Sequence, residues 1–295
     1  MESRLSDQST TTPPLTPPVL VRGGGDLGTG VTLALRDRGW PVVIVDQPLP
    51  GALRLHVALA YAAVKGQWQV AGVQARLAPD LGALDSILAA GHVPVWTGSW
   101  RAAAAHLKVA TLVDARMRGL SDADLRPADA AMIIGLGPGW RAGQHCHAVI
   151  ETSRGATLGQ VLLRGQASAH TGIPGSVMNL THERILRTPV AGVLRRVCEL
   201  GDLVRPGQTV ATVSDSPIAA TIGGLVRGLK LDGVLVGVGH KVGDIDPRAD
   251  ARLLAEPTDK AHRVGRAVVE AIDTLRARQR TESDPNAVAW SNACT

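Results

Sequence analysis

A chain of 295 residues with 45% hydrophobic and 19% charged residues is long enough for two domains and too apolar to be disordered. Its formal charge of +5 comes from arginines scattered among acidic residues, and only 2% of its residues are aromatic, which argues against a nucleic-acid partner. Cys146, Cys198 and Cys294 share no metal or disulfide spacing, and no apolar run approaches the roughly 20 residues that span a bilayer. We therefore expect a cytoplasmic protein without a membrane partner.

The first half of the chain alternates short β-branched runs with Ala- and Leu-rich stretches. After a Ser-, Thr- and Pro-rich segment, residues 1–18, which we predict to be a disordered leader, strands are predicted at 19–22, 42–46, 68–73, 93–96, 111–116 and 131–135. Helices are predicted at 29–39, 54–66 and 81–91. Because the strands are apolar on both faces, this alternation predicts an α/β, Rossmann-like parallel sheet domain over residues 19–150.

The second half has a different residue pattern, with many glycines and short strand-like runs. We predict a mostly β domain over residues 151–257, then a C-terminal helix over 258–280 and a disordered tail over 281–295. The helix has an apolar stripe formed by Ala261, Val264, Val268, Ala271, Ile272 and Leu275.

The first candidate site is the glycine-rich stretch that follows the first strand. Gly23, Gly25 and Gly28 fit the pattern G-x-G-x-x-G between a strand and a helix, where backbone amides can bind a phosphate. Asp46, at the end of the second strand, could accept hydrogen bonds from a ribose. Asp26 would repel a pyrophosphate unless it caps the helix and turns away. A turn that binds no nucleotide is the alternative explanation.

A second glycine-rich loop follows the strand at 131–135. Gly135, Gly137 and Gly139 form a turn that could present amides to an anion, and Glu151 and Arg154 follow the next short strand. Ligands of open α/β sheets bind at the carboxyl ends of strands. We therefore expect the two loops to form opposite walls of one cleft.

The segment that contains His145, Cys146 and His147 could hold a metal ion or a reactive thiol. No second cluster with ligand spacing accompanies it, and structural zinc requires four ligands. Packing and polar roles are favoured, and no metal site is predicted.

Two further groups of charged residues could line a site or form ordinary surface ion pairs. One follows the strand at 111–116, and the other lies in a turn near residue 244. Their members are Asp114 and Arg116, and Lys241, Asp244, Asp246 and Arg248.

Several stretches together resemble a known family. VRGGGDLGTGV, VDARM, GLGPGWRAGQHCHAVIETSRGATLG, TGIPG, GDLVRPGQ and HKVGDIDPR are similar to the selenium-dependent molybdenum hydroxylase system family, and more distantly to the xanthine dehydrogenase accessory family. Residues 188–247 also resemble a barrel-sandwich hybrid of the lipoyl type, but the matching hairpin has no lysine to modify.

This resemblance implies an accessory protein that matures a molybdenum hydroxylase and binds a molybdenum cofactor or another nucleotide-bearing anion. Its partners would be the hydroxylase, other maturation factors or a second copy of this chain. An NAD-dependent oxidoreductase and a non-catalytic adaptor that docks a partner enzyme are the alternatives, and whether the protein is an enzyme is left open.

Overall fold

The computed structural model describes residues 17–117, 125–169 and 175–283. The predicted leader and tail lie outside the described residues, apart from residues 17, 18 and 281–283. No helix in these ranges is long and apolar enough to cross a membrane.

The described residues of the first half of the chain form eleven strands and four α-helices. In chain order the strands are β1 Val19–Arg22, β2 Val42–Val45, β3 Gln67–Val70, β4 Val73–Leu77, β5 Val93–Trp96, β6 Thr111–Asp114, β7 Met132–Leu136, β8 Arg141–Ala142, β9 Ala148–Ile150, β10 Val161–Leu162 and β11 Gly165–Gln166. The helices are α1 Asp26–Asp37, α2 Ala62–Lys65, α3 Gly82–Ala89 and α4 Trp100–His106.

Nine of these strands form one mixed sheet, in the order β10-β9-β7-β6-β1-β2-β5-β4-β3. The strands from β9 to β4 pair in parallel, whereas β10 and β3 pair antiparallel with their neighbours at the two edges. β8 and β11 pair in a separate small ribbon.

The mixed sheet corrects the predicted Rossmann-like parallel sheet. The run at 68–73, expected to be one strand, instead contains most of β3, a hairpin turn at Ala71 and Gly72, whose φ angles are 47° and 80°, and the first residue of β4. The predicted helix at 54–66 is two 3-10 turns, Leu55–Val57 and Leu59–Tyr61, followed by the short α2. The helix α4 was not predicted.

The sheet is covered on both faces because its central strands are apolar on both faces. In β1, Val19 and Val21 pack in one core with residues of α1, whereas Leu20 packs in another core with Leu84 of α3. The sheet therefore holds its central strands rigidly and presents their carboxyl ends along one edge.

The second half is mostly β, as predicted. Its strands are β12 Ile185–Arg187, β13 Gly192–Arg196, β14 Leu203–Val204, β15 Thr209–Val213, β16 Ser216–Ala219, β17 Gly224–Leu229, β18 Leu235–Val236 and β19 Lys241–Asp246. They form two antiparallel sheets, in the orders β12-β19-β17-β14 and β16-β15-β13-β18. Buried Val, Leu, Ile and Ala side chains from both sheets form one core.

The chain then returns to the first half through α5 Asp259–Ser283. All six residues of the predicted apolar stripe are buried, and α5 packs in the same core as α1. The two helices approach closely at glycines, since a Cβ atom on Gly30 would collide with the carbonyl of Ala261. This packing brings the start of α5 beside the start of α1.

Candidate functional site

The loop between β1 and α1 uses three of its glycines for its own structure. Gly23 has a φ angle of 93°, which favours glycine. A Cβ atom on Gly24 would lie 2.7 Å from Ile44 Cγ2 and 2.8 Å from Ala60 Cβ, and one on Gly28 would collide with the carbonyl of Gly23. Backbone geometry and packing therefore explain Gly23, Gly24 and Gly28 without a ligand.

Gly25 differs from its neighbours. Its φ and ψ angles of −70° and −166° are open to any L-residue. A Cβ atom there would make only an ordinary contact, 3.6 Å from Ala52 Cβ. Gly25 lines a cavity of about 530 Å³ that opens at the carboxyl ends of β1, β2, β5 and β6, here called the glycine-loop cleft. Nothing in the fold fills the space that the missing side chain leaves.

Asp46 also lines this cleft, as its position after β2 predicts. Its Oδ2 accepts a hydrogen bond from the amide of Gly24 at 2.7 Å, and its Oδ1 accepts one from Gln47 at 2.7 Å. The carboxylate thus fixes the shape of the glycine loop, and a ribose would have to share it with these amides.

Asp26 neither caps α1 nor faces the cleft. Gly25 is the N-cap residue of α1, and no side chain caps that helix. The carboxylate of Asp26 instead accepts hydrogen bonds from Arg54 Nη1 at 3.1 Å and from the hydroxyl of Thr258 at 3.0 Å. Asp26 therefore ties the start of α1 to the segment that begins α5.

A buried charge cluster forms the base of the glycine-loop cleft. Arg22 and Asp114 end the neighbouring strands β1 and β6 and are register partners. Arg22 Nη1 lies 3.2 Å from Asp114 Oδ2, and both side chains are almost fully buried. Arg116 donates to the same carboxylate, with its Nη2 2.7 Å from Oδ2. Asp114 therefore holds two guanidinium groups at the carboxyl ends of β1 and β6.

Two more residues complete the walls. The guanidinium of Arg22 lies over the ring of Trp100, 4.7 Å from its centroid. Lys230, from the second half of the chain, lines the cleft and donates to the carbonyl of Gly51 at 3.0 Å. The cleft thus combines three cations with the amide-rich start of a helix, an arrangement suited to an anion.

The structure does not place the second glycine loop in this cleft. Gly135, Gly137 and Gly139 are absent from the residues that line it. A Cβ atom on Gly135 would collide with the ring of Trp140, which is 1% exposed. A Cβ atom on Gly137 would lie 2.6 Å from the hydroxyl of Thr152. Protein atoms therefore occupy the space beside Gly135 and Gly137.

Glu151 and Arg154 likewise have structural partners. Glu151 is buried, and its carboxylate accepts from the amides of Ser153 at 2.6 Å and Ser168 at 2.7 Å. Burial opposes its charge, but these hydrogen bonds outweigh burial and hold the pKa of Glu151 below its ordinary value. Arg154 pairs with Asp259 at 3.2 Å, at the start of α5.

The segment with His145, Cys146 and His147 shows no reactive thiol. Burial raises the pKa of Cys146 to about 12, so the thiol stays protonated at neutral pH. The amide of Ile133 donates to Nδ1 of His147 at 3.0 Å, and burial lowers the pKa of that histidine. Within the described ranges, no group of three or more His, Cys, Asp or Glu residues could hold a metal ion.

The last group of predicted residues lies in a second cavity. Lys241, Asp244 and Arg248 line a cavity of about 1010 Å³ between the two halves of the chain, here called the basic cleft. Asp246 is fully buried beneath it and pairs with Arg248 at 2.7 Å.

The sequence offered Asp114 and Arg116 as candidates for a site without saying where, and it missed Arg22, Trp100 and Lys230. A signal for Arg22 was available, because it ends an apolar strand as Asp114 does. Lys230 has no such signal, since it reaches the cleft only through the packing of the two halves.

Comparison with known proteins gives one close relative. No family model matches the chain. The uncharacterized protein YqeB of Escherichia coli K12 is 40% identical over 257 residues, which are 87% of this chain and 47% of YqeB. The chain thus spans about half the length of the curated relative it matches.

Solved structures give only distant matches. An aspartoacylase family protein of Mesorhizobium loti is 14% identical and covers 78% of this chain and 85% of its own, with a TM-score of 0.24. The product-bound ectoine utilization protein EutE (DoeB) of Ruegeria pomeroyi is 15% identical over 79% and 85% of the two chains, with a TM-score of 0.25. A succinylglutamate desuccinylase/aspartoacylase of Rhodobacter sphaeroides is 15% identical over 78% and 85%, with a TM-score of 0.25.

The structure itself corrects the predicted fold class, because antiparallel strands at both edges of the nine-stranded sheet make the Rossmann-like parallel sheet wrong. The three matched structures are an aspartoacylase family protein, an ectoine utilization protein and a succinylglutamate desuccinylase/aspartoacylase, so they give no support to the description of the chain as a Rossmann-like, nucleotide-binding protein of molybdenum and selenium systems. They do not bear on the predicted maturation role. TM-scores this low carry no argument about what the chain does.

Proposed function

We propose that this protein binds an anionic small molecule in the glycine-loop cleft. The observation that carries the proposal is Gly25, whose backbone angles and surroundings do not require glycine, yet whose missing side chain leaves room in the cleft. Because the fold itself does not require glycine at position 25, a ligand that occupies the space of the missing side chain would explain it.

The charges around Gly25 support an anion over a neutral ligand. Arg22 and Arg116 line the cleft and both pair with Asp114, and Lys230 adds a third cation across the cleft. Guanidinium groups favour carboxylate and phosphate groups, which they bind through paired N–H donors.

The role of the anion follows from the sequence resemblance alone and stays a prediction. As an accessory protein of a molybdenum hydroxylase, the chain would hold a cofactor for delivery or modification, in the cytoplasm and beside a hydroxylase or its maturation factors. The NAD-dependent oxidoreductase would need Asp46 for a ribose, although this carboxylate already accepts from the Gly24 and Gln47 amides. The adaptor needs no ligand.

Mass spectrometry of the small molecules that co-purify with the protein tests the proposal. Wild type, Gly25→Val and Gly82→Val are purified from a molybdenum-replete host and denatured, and the released anions are identified. Gly82 is exposed at the start of α3, so Gly82→Val is a matched control with the same added volume.

We expect one anion in stoichiometric amount on wild type and Gly82→Val, and its loss from Gly25→Val. A molybdopterin would support the maturation role, and NAD would support the oxidoreductase. The same anions on wild type and Gly25→Val, or none on wild type, would contradict the proposal and favour the adaptor.

A further inference from the structure

The basic cleft carries more positive charge than its own acids neutralise. Seven of the residues that line it are Arg or Lys, and four are Asp or Glu. It lies between the strands β17 and β19, the 3-10 turn Ala251–Leu254 and the start of α5. Concave surfaces lined by one sign of charge attract ligands of the opposite sign.

Two buried carboxylates at the floor are shared among three arginines. Arg184 lies 3.7 Å from Asp244 and 3.9 Å from Asp246, and its side chain is 5% exposed. Arg227 lies 3.3 Å from Asp244, and Arg248 lies 2.7 Å from Asp246. The two carboxylates thus hold the arginines in place, but they are fewer than the three guanidinium groups that they contact.

Lys241 adds a cation that has no direct partner. Within the described ranges its ammonium makes no hydrogen bond and no ion pair. Burial lowers its pKa, although the nearby carboxylate of Asp244 raises it in part. The adjacent Arg227 pairs with Asp244 through Nη1, but its buried Nε donates no hydrogen bond to a described residue and lies 3.8 Å from Asp246 Oδ2. A half-buried lysine beside an N–H group without an acceptor is unfavourable unless something else binds them.

We propose that the basic cleft is a second binding site, for a small polyanion that carries at least two phosphate or carboxylate groups. One group would bind Lys241 and Arg227 at the floor, and another would bind Arg252 at the rim, which is 91% exposed. Asp250 holds Arg252 in place through an ion pair of 2.9 Å, so a second anionic group would have to share this guanidinium at the rim, whereas the first would meet Lys241 at the floor.

This site is separate from the glycine-loop cleft. Gly51 and Ala52 line the glycine-loop cleft, whereas Arg54 lines the basic cleft. Between them, the carbonyl of Leu53 accepts a hydrogen bond from the amide of Leu229 in β17 at 2.9 Å. The segment 51–54 is therefore held against β17 and divides the two cavities.

Calorimetric titration with inorganic pyrophosphate and with citrate at low salt tests this proposal. The titration is made in Gly25→Val protein, so that the glycine-loop cleft is blocked, and repeated in wild type. The variants are Lys241→Met and Arg252→Gln, with Arg205→Gln as the control, because Arg205 is exposed in the same half and lines neither cleft.

We expect Lys241→Met to weaken pyrophosphate binding about tenfold, as the loss of one charge-assisted contact implies. Arg252→Gln should weaken it less, and Arg205→Gln should leave it unchanged. Lys241→Met should keep the thermal midpoint of the protein, because burial already disfavours the lysine charge.

Two results would overturn the proposal: no binding of either probe, or binding that Lys241→Met and Arg252→Gln leave unchanged. Equal weakening by all three variants would show a general effect of net charge and would also overturn it. Failure of Gly25→Val to lose its co-purified anion would bear on the glycine-loop cleft alone, so the two proposals fail separately.

Discussion

The two glycine loops of this protein share a sequence pattern and differ in what surrounds their glycines. In the loop 23–28, Gly25 faces an open cavity beside a buried charge cluster. In the loop 135–139, the ring of Trp140 lies against Gly135, and Thr152 lies against Gly137. A glycine-rich turn after a strand therefore does not indicate a ligand by itself. What matters is whether protein atoms or an empty cleft occupy the place of the missing side chain.

Among variants that test this difference between the two loops, we expect the largest loss of stability at Asp114, at the base of the glycine-loop cleft. Asp114→Asn would remove the carboxylate that pairs with the buried Arg22 and the partly buried Arg116. We expect the free energy of unfolding to fall by about 3–5 kcal/mol, the usual result of breaking a buried ion pair. Urea denaturation at neutral pH measures it. A loss below about 1 kcal/mol would show that the cleft does not depend on this cluster.

Glu151 tests the structural role of the region that follows the second loop. Glu151→Gln should lower the free energy of unfolding by about 1.5–3 kcal/mol at neutral pH, because charged acceptors make the stronger hydrogen bonds. The folded-state pKa of Glu151 is lowered, so its stabilising contribution is present above the unfolded-state pKa of about 4.3. That contribution is lost as the pH falls through the lower folded-state pKa.

Urea titrations of wild type and Glu151→Gln from pH 7 to pH 3 check the sign of this effect. The difference between the two proteins should narrow as the pH falls. A difference that stays constant over this range would contradict the assignment of the carboxylate as a charged acceptor.

Gly135→Ala should disturb the filled loop. Its new methyl group would have to displace the ring of Trp140, which is 1% exposed. We expect a loss of about 1–3 kcal/mol in the free energy of unfolding, as overpacked cores show. The emission of Trp140, compared with a Trp140→Leu reference, would report the displacement. An unchanged midpoint would show that the second loop has room for a ligand after all.

Gly25→Ala should have the smallest effect on stability. Its backbone angles suit alanine, and the added methyl group makes an ordinary contact with Ala52. We expect the free energy of unfolding to be unchanged or to rise by about 0.4–1 kcal/mol, as when alanine replaces glycine at a compatible site. Thermal denaturation beside Gly82→Ala measures it. Strong destabilisation would place Gly25 with the structural glycines.

Much of the fold could be predicted because local patterns determine it. β1 and β5 lie at the predicted residues, and α5 buries the predicted stripe. The mixed sheet could not be predicted in the same way, because the turn at Ala71 and Gly72 interrupts a run that is mostly apolar. Edge pairing depends on which strands meet, and a single strand's composition does not show this.

The site was predicted only in part, for a similar reason. Asp46 and Asp114 end strands, and strand ends are visible in the sequence. One partner of Asp26 is Thr258, more than 200 residues away, and only the packing of α5 on α1 brings them together. The sequence also does not predict that the ring of Trp140 fills the second loop. Trp140 lies just beyond the glycines, and packing in the core sets the direction of its ring.

The central claim is that the space beside Gly25 holds an anion, and one titration tests it most directly. Pyrophosphate is titrated by calorimetry into two proteins: the Lys241→Met variant, and the same variant carrying Gly25→Val as well. Lys241→Met weakens the basic cleft, so the glycine-loop cleft dominates the signal. We predict that Gly25→Val weakens binding at least about tenfold, while Gly82→Val leaves it unchanged. Equal affinity with Gly25 and with Gly25→Val, both proteins being folded, would contradict the account.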